Sequence, residues 1–163
     1  NGIKISKGNI VKIAKTLCDE LVILHNAHMI YGAISPDTIY ISGDGSIHLF
    51  GIGSPFYEFI TDIDDRAKIL NPKFCAPEVF LNNAKRGAYS DVYSLAAVVY
   101  YVLLNKQLPL SFLRSKGETI EVPHRINDNI EKNLSTALLN ALNWQVSART
   151  KTLTAFYKEL VGV

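Results

Sequence analysis

The residues of this 163-residue chain that could do chemistry fall into a few small groups. His25 and His28 stand three apart near a predicted helix end, where two imidazoles could begin a metal site, but no third ligand lies nearby in the sequence. Satisfied or exposed histidines are therefore expected. Asp62, Asp64 and Asp65 are oxygen ligands of the kind Ca²⁺ takes, yet the EF-hand pattern lacks its glycine and its terminal glutamate, which leaves a solvated acidic loop as the expectation. The only two cysteines, Cys18 and Cys75, form no CxxC or Cys/His spacing. That excludes a disulfide scaffold, argues against a zinc module and fits a reducing compartment. Cys75 has no neighbouring base or cation, so it reads as a buried small apolar side chain and not as a nucleophile. Gly51-Ile52-Gly53 starts like a dinucleotide-binding turn, but a third glycine and a helix should follow, and Pro55 intervenes.

Composition narrows the partner classes. The chain is 48% hydrophobic and 20% charged, enough to build one substantial core. Its net charge of +2 comes from 17 basic and 15 acidic residues without a Lys/Arg run, which argues against a nucleic-acid footprint. The longest apolar run, Leu95 to Leu104, falls well short of the ~20 residues a membrane span needs, so no membrane insertion by this segment is expected. No basic-then-apolar pattern opens the sequence, so no signal peptide is expected in this segment. Its first residue is Asn1, which predicts a piece cut from a longer polypeptide.

The elements that must position any site follow from periodicity. From Asn9, the apolar positions Ile10, Ile13, Ala14, Leu17, Cys18, Leu21 and Leu24 recur at helical spacing, predicting an amphipathic helix that ends near Asn26. Ser35-Pro36-Asp37 predicts a constrained loop, because the proline forces its predecessor out of helical geometry. Thr38–Ile41 and Ser46–Phe50, joined by Ser42-Gly43-Asp44-Gly45, predict a β-hairpin. From Gly51 to Glu78 no period persists, and a loop of that length is usually functional or disordered. Ser90 is the expected cap of a helix apolar on most sides that runs to Leu104, with Asp91 in its first turn and Tyr93, Tyr100 and Tyr101 as core packing. Asn105 is a left-handed cap and Pro109 a stop; Ile130–Leu142 and Leu153–Leu160 give two further amphipathic helices.

Three ordered motifs then coincide. The run from Leu24-His25 to Tyr31-Gly32-Ala33-Ile34-Ser35-Pro36-Asp37-Thr38-Ile39-Tyr40-Ile41 resembles the LH…HGDISPDNIYI catalytic loop of bacterial Ser/Thr protein kinases. Phe74-Cys75-Ala76-Pro77-Glu78 resembles the Ala-Pro-Glu end of the kinase activation segment, and Ser90-Asp91-Val92-Tyr93-Ser94-Leu95 the start of the central helix. Arg149 matches the arginine that pairs with that glutamate, so the resemblance covers nearly the whole chain. It implies a mainly α fold: a protein-kinase-like C-terminal lobe with a short β-hairpin at the catalytic loop. No N-terminal lobe is expected, since the chain has no Gly-rich loop, no strand lysine and no helix with its partner glutamate. One domain over 1–163 is implied, with a first helix in 1–26, the catalytic loop and hairpin in 27–50, the activation-segment equivalent in 51–78 and a helical subdomain in 79–163.

The departures bear on activity. In the family, an aspartate accepts the substrate hydroxyl proton, an asparagine five residues on ligates Mg²⁺, and the Asp-Phe-Gly aspartate holds the metal that bridges the ATP phosphates. Those places hold Ala33, Thr38 and Gly51. A methyl group accepts no proton, glycine has no ligand atom, and a neutral hydroxyl is a poor ligand for a hard cation. The resemblance thus implies no catalytic, cofactor-binding or metal residues, and no binding of ATP or Mg²⁺. The residues of architectural role are retained: Ala76, Pro77, Glu78, Asp91 and Arg149. The resemblance implies a buried bidentate Glu78–Arg149 pair, and an Asp91 carboxylate accepting from the backbone near Tyr31 and Gly32.

The expected function is that of a catalytically inactive kinase-like domain, a pseudokinase serving as a regulatory or scaffolding module. It would bind a polypeptide partner through Gly51–Glu78 and the Leu108–Pro123 connection. The kinase non-catalytic C-lobe domain is a precedent in kind. The alternative is a fragment of a kinase that uses displaced catalytic groups, with its ATP-binding lobe elsewhere; Asp37 is the nearest carboxylate to the lost base, but its family position points away. A domain supporting a neighbouring membrane or secretion segment is a third option. A bacterial, cytoplasmic location is expected, whether free or as the cytoplasmic part of a membrane-attached protein.

Overall fold

The computed structural model describes residues 7–51, 60 and 62–163. Ile52, Gly53, Pro55 and Thr61, and with them much of the first half of the stretch 51–78, lie outside the described residues. Helix α1 (Lys7–Asn26) buries Ile10, Ala14, Leu17, Cys18 and Leu21 on one face. Its opposite side carries the exposed Lys15–Asp19 pair at 2.6 Å, which four-residue helical spacing brings together. The helix ends in a Schellman turn: Met29 N–H donates to Leu24 O at 2.9 Å and His28 N–H to His25 O at 3.0 Å. His28 takes the left-handed conformation this turn requires, with φ 57°. A glycine would do so without steric penalty; histidine is among the side chains that tolerate it.

A 3₁₀ turn (Pro36–Thr38) leads into strands β1 (Ile39–Ile41) and β2 (Ile47–Leu49). They pair antiparallel in the register Ile39 to Leu49, Tyr40 to His48 and Ile41 to Ile47. Gly45, at φ 82°, closes the connecting turn, its N–H donating to Ser42 O. Glu20 of α1 ties the hairpin down by accepting from Leu49 N–H at 2.9 Å and lying 3.0 Å from His48 Nδ1.

The segment read as aperiodic from Gly51 to Glu78 contains a helix, α2 (Ile63–Ile69). Asp62 is its N-cap, accepting from Asp65 N–H at 3.0 Å, and Asp64 and Asp65 occupy the first turn, where the helix dipole favours negative charge. The acidic patch is therefore a helix start and not a solvated loop. A second 3₁₀ turn (Pro77–Phe80) follows.

Helix α3 (Ala88–Leu104) is the axis of the fold, with every residue from Ser90 to Tyr100 buried. Its N-cap is Gly87 and not Ser90 as predicted. Ser90 sits three residues inside, where its Oγ accepts from Gly87 N–H at 3.3 Å and donates to Glu78, so its hydroxyl serves cap and core together. Asn105, at φ 52°, ends the helix. Two short helical turns, Arg114–Lys116 and α4 (Pro123–Ile126), lead to α5 (Lys132–Ala141). A third such turn (Val146–Ala148) precedes α6 (Leu153–Val161), capped by Thr152 through Ala155 N–H. Helices α1, α3, α5 and α6 pack together, and their facing side chains form most of the core, each large apolar one contributing roughly 1.5–3 kcal/mol on burial. Among the described residues no helix is long and apolar enough to cross a membrane.

Candidate functional site

The loop carrying Ala33 is held by one carboxylate. Asp91, fully buried in the first turn of α3, accepts from Tyr31 N–H at 2.9 Å and Gly32 N–H at 2.6 Å. Its Oδ2 also lies 2.8 Å from His25 Nε2, which fixes the imidazole proton on that nitrogen. A buried carboxylate with three donors at the positive end of a helix has its charge balanced without a cation beside it. Gly32 turns the chain at φ 74°, and Tyr31 Oη donates to Phe50 O at 2.8 Å. The sequence left His25 without a role; the structure makes it the third partner of Asp91.

Ala33 is half-buried, and Thr38 is folded back toward it. Thr38 Oγ1 accepts from Ser35 N–H at 3.0 Å and points its own proton at the carbonyls of Ala33 (3.2 Å) and Ser35 (3.0 Å). Phe50 N–H donates to Thr38 O at 2.8 Å, which brings Gly51, at φ 89°, to the same corner. The three positions Ala33, Thr38 and Gly51 thus converge, but they offer no carboxylate and their one hydroxyl is engaged with the backbone. Asp37 is exposed on the neighbouring turn. Among the described residues, no three His, Cys, Asp or Glu side chains converge as a metal site would need. Cys75, behind the loop, points its thiol at Gly32 O at 3.9 Å; burial, with Asp91 nearby, pushes it up to about 12, so it stays protonated at neutral pH.

A second cluster braces the opposite end. Glu78, in the turn after the fully buried Ala76 and the half-buried Pro77, meets Arg149 in a two-pronged pair at 2.6 and 3.0 Å. The remaining guanidinium protons go to Asn143 O, Tyr89 O and Trp144 O, so every N–H of Arg149 has an acceptor. Glu78 also accepts from Ser90 Oγ at 2.8 Å. Tyr93 lies between two cations: the Arg149 guanidinium is 5.0 Å from its ring centre and that of Arg114 is 5.9 Å away. Burial raises the Tyr93 phenol, an effect opposed by these two charges. Arg114 and Arg66 were missed by the sequence reading. Arg66 is buried in α2 and donates to Ile60 O and Val79 O, joining that helix to the Ala-Pro-Glu turn. Arg66 donates to carbonyls and Arg114 to the Tyr93 phenol and the Leu142 carbonyl, and sequence carries no signal for such pairings.

No protein-family model matches the chain, and no curated protein matches it. Solved structures do. The apo form of PpkA-294 superposes with a TM-score of 0.80 at 23% identity, over 93% of this chain and 53% of that one. The Mycobacterium tuberculosis PknI kinase domain superposes with a TM-score of 0.71 at 18% identity, over 97% of this chain and 56% of that one. The chain spans about half the length of the structures it matches. The order of one long helix, a hairpin, a buried central helix and two closing helices is therefore that of a protein-kinase-like C-terminal lobe.

Proposed function

We propose that this chain is a non-catalytic protein-kinase-like domain that acts as a polypeptide-binding regulatory module. The observation that carries the reading is the state of one corner: Ala33, Thr38 and Gly51 converge without a proton acceptor or a metal ligand, and the Thr38 hydroxyl is consumed by its own loop. Meanwhile the Asp91 and Glu78–Arg149 braces that hold the loop and the segment end are complete. General-base assistance and metal bridging of phosphates both need groups this corner lacks.

One observation favours a second reading, a kinase half that works with displaced groups: the chain covers only about half of the kinase structures it resembles. The experiment that separates the two incubates the chain, and any longer polypeptide that carries it, with labelled ATP, Mg²⁺ and a protein acceptor. The module reading expects neither micromolar nucleotide binding nor transfer; transfer overturns it. Installing Ala33→Asp with Gly51→Asp sharpens the result, since activity gained only by the variant indicates ancestral loss, and activity already present in the parent indicates displacement.

A further inference from the structure

Beside the Glu78–Arg149 pair the surface opens into a groove of about 500 Å³ that the catalytic-loop corner does not share. Leu81, Phe112, Trp144 and Val146 line it, together with Tyr89 and Lys85. Three of these large apolar side chains stay in contact with water, with Leu81 53%, Trp144 40% and Phe112 38% exposed. The groove floor is rigid, because the Trp144 and Tyr89 carbonyls are both fixed by Arg149, and Phe112 stacks edge-on against the buried Phe80. A preformed apolar cleft of this size holds one or two bulky side chains of a partner.

The charge around it is one-sided. Three segments build the groove: 77–89, 109–117 and 143–151. Apart from Glu78, which is neutralised by Arg149, these segments contain no acid, and their lysines at the groove are Lys85 and Lys151. Since the whole chain is only +2, the remainder of the molecule is net acidic. Lys85 is exposed and lines the groove, while Lys151 Nζ sits 6.0 Å over the Tyr89 ring and donates to Val146 O. Two ammonium groups thus stand at an apolar cleft.

From this we infer that the groove docks an acidic peptide segment carrying a bulky apolar anchor: the anchor enters between Leu81, Phe112 and Trp144, and flanking carboxylates face Lys85 and Lys151. The inference rests on the reading of the chain as an interaction module and names the chemistry of its partner. A basic or neutral peptide meets uncompensated ammonium groups here, and an acidic peptide without an anchor leaves the apolar lining wet.

Trp144 is the chain's only tryptophan, so its emission reports occupancy directly. The probes are three synthetic twelve-residue peptides without tryptophan: glutamates flanking a Phe-Leu pair, lysines flanking the same pair, and glutamates flanking Ser-Ser. The full chain binds the first alone, shifting Trp144 emission to the blue, and the affinity falls as salt rises. The Lys85→Glu/Lys151→Glu variant loses ~10-fold or more, and Leu81→Ser loses a similar factor by removing anchor contact. Equal binding of the lysine peptide, or indifference to these substitutions, overturns the inference. Hydrogen exchange on the same samples separates the two readings. Peptide protection confined to 62–76 and absent from 77–89 and 143–151 removes the groove but leaves the module reading intact. Phosphate transfer in the preceding assay removes the module reading whatever the groove binds.

Discussion

Arg149 reaches Glu78 across 71 positions of sequence and places both terminal nitrogens on its carboxylate, while its other protons satisfy three carbonyls. The pair joins the Ala-Pro-Glu turn to the segment between α5 and α6, and Ser90 adds the central helix to the same junction.

Arg149→Lys keeps the charge but has neither the planar fork nor enough donors, and Glu78→Gln strands the guanidinium in the interior. Each is expected to cost about 3–5 kcal/mol, read as a lower urea midpoint at unchanged m-value. If both variants unfold at the wild-type midpoint, the brace holds nothing.

Thr38→Val preserves the shape of the corner while removing its hydroxyl, leaving Ser35 N–H without the acceptor it has at 3.0 Å. The expected loss is about 1–3 kcal/mol, with the Ser35 amide exchanging faster than in the wild-type chain. Unchanged exchange at Ser35 would show that this hydroxyl does not staple the loop.

His28→Gly relieves a left-handed residue of its Cβ at the end of α1. The left-handed conformation costs a side-chain-bearing residue roughly 1–2 kcal/mol, and the extra freedom of glycine in the unfolded chain returns roughly 0.5–1 kcal/mol of that. A net gain of about 0.5–1 kcal/mol is expected in the unfolding free energy, and a loss would mean the imidazole makes a compensating contact.

Asp44 in the hairpin turn accepts from Ser42 Oγ and from Ser46 N–H at 2.9 Å, and these bonds hold its carboxyl down at about 2. A carboxyl depressed in the folded state favours folding above its ordinary value near 3.8; that contribution fades as pH falls from there toward about 2. An NMR titration should find the Asp44 midpoint well below the ordinary carboxylate range, and Ser42→Ala should raise it. An ordinary midpoint in wild type would dismiss the turn geometry.

The long elements were legible because their patterns are long: α1, α5 and α6 each repeat their apolar spacing over two or more turns, α3 is one long apolar run, and the hairpin has two alternating runs around a glycine turn. Helix α2 was not, since seven residues among prolines and aspartates give too short a period to stand out, and four-residue α4 gives less. The Ser90 cap failed for an instructive reason: a serine near a helix start has two uses for its oxygen, and the buried Glu78 claims it one turn further in. At the corner of Ala33, Thr38 and Gly51 the residue types alone show that no carboxylate stands there. That Thr38 turns its hydroxyl inward, that His25 joins Asp91, that Arg66 is buried among carbonyls and that Arg114 reaches Tyr93 and Leu142 all depend on segments brought together by the fold.

Helix α3 has a consequence for how the chain is made. Its stretch from Ser90 to Tyr100 has no face for water, and part of its covering comes from α5 and α6, at the far end of the sequence. During synthesis the stickiest segment therefore leaves the ribosome before its shelter exists, and a nascent chain halted ahead of Lys132 is a substrate for chaperones and not a smaller version of the fold.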